Sequence, residues 1–260
     1  MQDFLVACDN NVGTKKKNQD SLVIEIADTD MGPILFAAIC DGMGGLSAGE
    51  KASGKLARYL GKWFEEELAP YISGNKAMIS AEAFEEDMSR LIQKTGKEIY
   101  ENSREESGTT VTGLLLGTGF YYTVNVGDTR AYRLQDDLVQ LTKDQTVVQQ
   151  EIDEGKITEE EALTHPQRSV LLQCVGASED IVPEFTSGKY MPEDVFLLCS
   201  DGFRHVLKKD EIQAHMNAAR SMTEPQMEEM LKELTNINLS RGEKDNITSV
   251  IIRVIDRGRF

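Results

Sequence analysis

Apolar and polar positions alternate with two different periods along this chain, and the change of period divides it into segments. Residues 4–8, 22–26 and 34–40 are short apolar or alternating runs separated by polar, turn-rich stretches, which predicts three strands in the first forty residues. The spacing then becomes helical. Ala48, Ala52, Leu56, Tyr59, Leu60 and Trp63 fall on one face of a helix, and Phe84, Met88, Leu91, Thr95 and Ile99 on one face of a second. Such stripes predict core packing. Strand patterns return at 110–116, 120–126 and 130–134, with Gly117-Thr118-Gly119 marking a tight hairpin between the first two.

From Thr142 to about Ala177 the chain is polar and helical, with Thr158 as a helix N-cap and Glu161 at the capping-box position. Strands are expected again at 181–185 and 195–199. Met227, Met230, Leu231 and Leu234 predict a further helix, and 247–255 a last strand. This order lacks regular strand–helix–strand alternation. It predicts an α+β fold with antiparallel sheets covered by helices rather than a doubly wound parallel sheet. No repeat, low-complexity tract or Pro/Gly/Ser-rich linker divides the chain, so one domain over 1–260 is expected.

Composition narrows the function. The formal net charge of -16 argues against nucleic-acid or anionic-membrane binding, because phosphate surfaces attract basic proteins. The N-terminal MQDFLVACDNN lacks the basic and long apolar regions of a signal peptide, and the apolar run 34–40 is too short to cross a bilayer. Cys8, Cys40, Cys174 and Cys199 stand singly, without CxxC spacing, which predicts reduced thiols in the cytoplasm rather than disulfides or a zinc site.

The candidate chemistry lies in aspartates beside turn formers at strand ends: Asp41 in ICDGMGG, Asp128 in VNVGDTR, Asp201 in LLCSDGF and Asp245 in GEKDNITSV. Any one of them is ordinary turn chemistry. Were their strands neighbours, the carboxylates would converge and would have to take up protons or share a cation. His165, His205 and His215 lack metal-ligand spacing and are expected to be structural. Aspartates with a backbone carbonyl suit magnesium or manganese better than zinc. A phosphate-cradling glycine loop is the weaker reading of Gly42-Met43-Gly44-Gly45, since GxxxxGK[ST] is absent and no acidic residue closes a βαβ unit.

Together, Asn18-Gln19-Asp20, Asp41-Gly42-Met43-Gly44-Gly45, Gly127-Asp128-Thr129-Arg130, Ser200-Asp201-Gly202 and Asp245-Asn246 resemble, in order and approximate spacing, the protein phosphatase 2C family of metal-dependent serine/threonine protein phosphatases. The methionine in DGMGG and the segment from Leu141 to Ala177 resemble its bacterial branch, whose flap subdomain corresponds to about 142–178. The resemblance implies a four-layer α-β-β-α sandwich with two central antiparallel sheets flanked by helices. It also implies two Mn2+ or Mg2+ ions that activate water for hydrolysis of phosphoserine and phosphothreonine. Asp41 would bridge the ions, the Gly42 carbonyl would join one, and Asp201 and Asp245 would complete the other. Asp20 would orient water from behind, and Asp128 would help hold a third, weaker ion. A family arginine that grips substrate phosphate is replaced here by Lys15, a point charge without the bidentate fork. Asp144-Gln145 stands where relatives commonly have Asp-His, and Ser169 where asparagine is common.

The implied protein is a monomeric cytoplasmic phosphatase acting on phosphoproteins made by a serine/threonine kinase. Two rivals remain: a non-catalytic regulatory or binding module of the same fold, and a phosphatase dedicated to one phosphoserine regulator.

Overall fold

The computed structural model describes residues 2–44, 48–103, 107–178 and 180–256. Gly45, the last glycine of the DGMGG motif, lies outside them. Three strands open the fold: β1 (Gln2–Asn11), β2 (Asp20–Thr29) and β3 (Gly32–Gly44). Helix α1 (Ala48–Trp63) passes through one π-helical turn, Phe64–Leu68, into α2 (Ala69–Asn75), and α3 (Ala81–Ser103) returns alongside. Next come β4 (Ser107–Thr109), β5 (Val111–Gly117), β6 (Phe120–Val126), β7 (Arg130–Leu134) and β8 (Leu138–Gln140). Two short helices, α4 (Val147–Asp153) and α5 (Glu159–Ala162), follow in the polar segment, and Thr158 and Glu161 form the expected capping box. The chain continues through β9 (Glu184–Lys189), β10 (Val195–Cys199), α6 (Asp201–Arg204), α7 (Lys209–Ala219), α8 (Glu224–Ser240) and β11 (Ile247–Asp256).

The strands make two sheets. One has the order β1-β11-β10-β7-β8, the other β2-β3-β5-β6-β9 with β4 added to β3. The pairings are antiparallel, as the element order predicted.

Strand β3 shows how the layers are built. Its side chains alternate between faces, so Ile34, Phe36, Ala38 and Cys40 pack with Leu56, Leu60, Trp63, Phe84 and Met88 of α1 and α3. Leu35, Ala37 and Ile39 turn the other way and meet Phe196, Leu198, Val250 and Ile252 of the opposite sheet. The outer face of that sheet packs under Ile212 and Met216 of α7 and Met227, Leu231 and Leu234 of α8. Helix, sheet, sheet, helix is the four-layer sandwich expected.

Several boundaries differ from the sequence expectation. Strand β3 does not stop at Cys40: Gly42 to Gly44 remain extended because they pair with Thr109 to Ser107. The strand expected at 181–185 runs instead from Glu184 to Lys189, along β6, with a sequence (EFTSGK) too polar to mark it. Strands β4 and β8, three residues each, and helices α6 and α7 were not anticipated. For α7 a signal existed, since Ile212, Met216 and Ala219 are buried at helical spacing. No helix among the described residues is long and apolar enough to cross a membrane.

Candidate metal centre

The aspartates singled out in the sequence come together where the two sheets meet. Antiparallel pairing of β2 with β3 sets Asp20 directly opposite Asp41. Pairing of β10 with β11 brings Asp201, just after β10, to the same end as Asp245, just before β11. Asp20 spans the gap, because Thr248 of β11 donates its hydroxyl to Asp20 Oδ2 at 2.6 Å. Asp128 sits between β6 and β7 in the same neighbourhood.

Close backbone approach makes this end possible. A Cβ on Gly42 would lie 2.4 Å from the Gly49 carbonyl oxygen and 2.5 Å from that of Gln19. A Cβ on Gly202 would lie 2.1 Å from the Asn246 carbonyl oxygen. The glycines after Asp41 and Asp201 therefore let their segments seat against α1 and the start of β11. Asn246 fastens the loop that carries Lys15. Its Nδ2 donates to the carbonyls of Val12 (2.8 Å) and Lys17 (3.1 Å), and its Oδ1 accepts from the Gln19 N–H at 2.8 Å. The DN motif marks this residue, but only the structure gives it a task.

The electrostatics are those of crowded anions. Burial and the surrounding carboxylates, Asp20 first and then Asp201, Asp128 and Asp245, hold Asp41 well above the usual carboxylate range. Burial, with Asp201 and Asp245, pushes Asp20 up to about 6 against the Thr248 hydrogen bond. Burial and Asp201 push Asp128 up to about 7, opposed by Arg204. No ion pair reaches Asp20 or Asp41 among the described residues, and the buried Asp20 Oδ1 has no hydrogen-bond partner.

The cations that are present sit at the margins. Lys15 Nζ lies 3.0 Å from Asp245 Oδ1, so the residue expected to grip phosphate is paired with a candidate metal ligand. Arg204 Nη2 donates to the Asp128 carbonyl at 2.9 Å and stands 3.5 Å from Asp128 Oδ2.

His205 corrects an expectation. Expected to be a structural filler, it stands with Nε2 3.5 Å from Asp201 Oδ2 and Nδ1 3.6 Å from Glu243 Oε2. Burial alone would lower its pKa, but Glu243 and Asp201 raise it above the ordinary histidine value. Burial would raise Glu243, yet the ring and two backbone N–H groups bring it down to about 2. The spacing of four from Asp201, on the helical turn of α6, was the signal that metal-ligand patterns alone did not catch. His165 lies just after α5, with Nε2 3.8 Å from Glu151 Oε2. His215 on α7 bonds the Glu211 carbonyl.

Among the described residues, no group of three or more His, Cys, Asp or Glu side chains is placed so as to hold a metal ion as it stands. The donor set nonetheless fits hard divalent cations. It offers carboxylate oxygens that disturb one another, a glycine carbonyl on the same strand as Asp41, and an orphaned buried oxygen on Asp20. All-oxygen donors in an open arrangement suit ions that keep several waters, magnesium and manganese above all.

Comparisons with known proteins agree with this chemistry. A model of the family described as protein phosphatase 2C matches residues 9–240. The chain is 34% identical over 225 residues to the serine/threonine protein phosphatase PstP of Mycobacterium tuberculosis, covering 84% of this chain and 40% of that protein, so it spans less than half the length of that relative. It is 30% identical to the serine/threonine phosphatase stp of Listeria innocua, over 88% of both chains. A solved structure of the PstP catalytic domain in complex with two manganese ions aligns with a TM-score of 0.77 at 27% identity, over 98% of this chain and 100% of that one.

Proposed function

The chain belongs to the protein phosphatase 2C family, and on that premise we propose that it is a serine/threonine protein phosphatase whose reaction depends on two divalent cations, manganese or magnesium. The observation that carries the reading is the convergence of Asp20, Asp41, Asp201 and Asp245 at one end of the sandwich, with no cationic partner for Asp20 or Asp41 among the described residues.

Asp41 and the Gly42 carbonyl, with Asp201 and Asp245, would hold the ions. Bound there, divalent cations lower the pKa of water and neutralise charge on a phosphoryl group. The chain supplies the rest. Asp20, fixed by Thr248, accepts or orients a proton through its free Oδ1. Lys15, on a loop anchored by Asn246, reaches a phosphate by exchanging its partner Asp245 for substrate oxygen. The substrates are phosphoserine and phosphothreonine proteins, the products of a serine/threonine kinase. The protein acts as a monomer in the cytoplasm, where its four free cysteines would stay reduced. Residues 1–260 form one catalytic domain, and the segment at about 142–178 is its flap.

Hydrolysis of a phosphothreonine peptide by the purified chain, with and without Mn2+, tests the proposal. Phosphate release that requires metal is expected. A chain that binds Mn2+ but releases no phosphate from any phosphopeptide would be the non-catalytic module instead.

A further inference from the structure

His205 and Glu243 stand outside the set of aspartates, yet they connect two of its members. One oxygen of Glu243, Oε1, accepts the backbone N–H groups of Lys244 (2.7 Å) and Asp245 (2.9 Å). The other, Oε2, faces His205 Nδ1 at 3.6 Å, and the far side of the ring presents Nε2 to Asp201 Oδ2 at 3.5 Å. A continuous polar chain therefore runs from the backbone of Asp245 through Glu243 and His205 to the carboxylate of Asp201. The geometry of α6 supplies the last link. His205 is four residues after Asp201 and its N–H donates to the Asp201 carbonyl at 3.0 Å, so the ring lies over the turn that carries the aspartate. The chain is sheltered: the side chains of Glu243, Asp201 and His205 are 10%, 14% and 22% exposed.

Asp201 and Asp245 come from different elements, the end of β10 and the start of β11. A metal held by both needs their carboxylates at a fixed separation, and backbone pairing alone does not fix where a carboxylate points. Each link addresses that freedom. Glu243 fixes the backbone from which Asp245 projects, and His205 fixes the direction of one Asp201 oxygen, leaving the other to bind. Groups that orient metal-binding carboxylates from behind contribute about 10- to 100-fold to metal affinity.

We infer that His205 and Glu243 are positioning residues that hold Asp201 and Asp245 at the separation a shared divalent cation requires. This rests on the two-cation reading above. It adds that the ion shared by these two aspartates, and not the one nearest Asp41 and Gly42, depends on the pair.

The test is calorimetric titration of the metal-stripped full chain with Mn2+, alongside its thermal unfolding without metal. Wild type is expected to bind two ions. His205→Ala and Glu243→Ala should each weaken one of them by about 10- to 100-fold and leave the other unchanged. His205→Gln, whose amide can still donate to a carboxylate four residues away, should recover most of the loss and keeps the fold should alanine not be tolerated. Because the two residues act as one chain, the double alanine variant should lose no more than the worse single variant. Two ions of unchanged affinity in His205→Ala and in Glu243→Ala would overturn the inference, as would a His205→Gln variant that binds the weakened ion no better than His205→Ala. So would strictly additive losses, or a fall in melting temperature with both affinities intact, which would give the pair a structural role only. A wild-type chain that binds no Mn2+ would instead remove the two-cation reading itself.

Discussion

Two groups of buried and half-buried aspartates lie within one sandwich and are treated in opposite ways. Asp144 is gripped by Arg130 through two 2.7 Å hydrogen bonds and approached by Arg204 at 3.3 Å. Asp194 accepts from Arg133 at 2.7 and 3.0 Å and from the Met191 N–H at 2.9 Å. These are charge-assisted pairs: Arg130 forks onto both oxygens of Asp144, and Arg133 sets two N–H groups on one oxygen of Asp194. Asp20 and Asp41 have nothing of the kind among the described residues. The fold can evidently deliver arginines to buried carboxylates, so their absence at one end is a property of that end. A buried anion without a partner must gain a proton or a cation. The arginine-paired group is complete as folded, whereas the other is completed from outside. Asp128, between them, leans on Arg204 from one group and is repelled by Asp201 of the other.

The largest effect follows from breaking the incomplete group. Asp41→Asn removes the carboxylate in which the other anions converge, and phosphopeptide hydrolysis should fall by about 10³-fold or more, the scale of losing a preorganised catalytic charge. The metal-free protein should respond in the opposite sense. The folded-state pKa values of Asp41, Asp20 and Asp128 are raised, so between about pH 4 and pH 7 the folded chain binds more protons than the unfolded one. Stability should therefore fall as pH rises through that window in the presence of a chelator. Asp41→Asn should flatten the fall and leave the metal-free variant more stable than wild type at pH 7. Melting temperatures from pH 4 to 8 measure this, and a flat wild-type profile would deny that the carboxylates are crowded.

How much of this could be read from the sequence depended on whether the cause was local. The Asp-Gly and Asp-Asn pairs at strand ends are local and identified Asp41, Asp201 and Asp245, the Gly127-Asp128 turn marked the margin in the same way, and Asp20 came only through the family resemblance. Their convergence is not local, since it needs β2 against β3 and β10 against β11, which only the two sheets provide. The alternation in β3 could not be seen because both faces are buried, giving an unbroken apolar run in ILFAAIC. Strand β9 was displaced because its polarity reflects a half-exposed edge. His205 went unrecognised because it acts on an aspartate four residues back rather than on a metal, and Glu243 because its partners are backbone groups and a ring from another segment.

An intermediate effect comes from breaking the complete group. Arg133→Ala leaves Asp194, whose side chain is 3% exposed, without its cation. Removing one partner of a buried pair costs about 3–5 kcal/mol. Chemical denaturation should show that loss, with Mn2+ affinity and kcat/KM of the folded fraction unchanged. A cost below about 1 kcal/mol, or a loss of metal affinity, would erase the distinction between the two groups.

The smallest effect concerns Lys15, an exposed cation that the incomplete group borrows. Its ammonium lies 3.0 Å from Asp245 Oδ1, and both side chains are more than 40% exposed. Burial would lower its pKa, but Asp245, with Asp201 and Asp41 behind it, raises it, so the charge is retained. Such an ammonium has two competing uses. Left on Asp245 it opposes an incoming metal ion, and turned outward it meets a substrate phosphate. Lys15→Ala should therefore tighten Mn2+ binding while raising KM for a phosphopeptide. Exposed pairs carry about 0.2–1 kcal/mol, so each change should lie at roughly 1.5- to 5-fold. Lys15→Arg should restore or improve KM, because a guanidinium forks onto phosphate where an ammonium cannot. Titration of Mn2+ and steady-state kinetics on the three proteins separate the two uses. If KM is unchanged in Lys15→Ala and rises in Lys16→Ala instead, the phosphate contact belongs to the next residue, and Lys15 serves only as the counter-charge of Asp245.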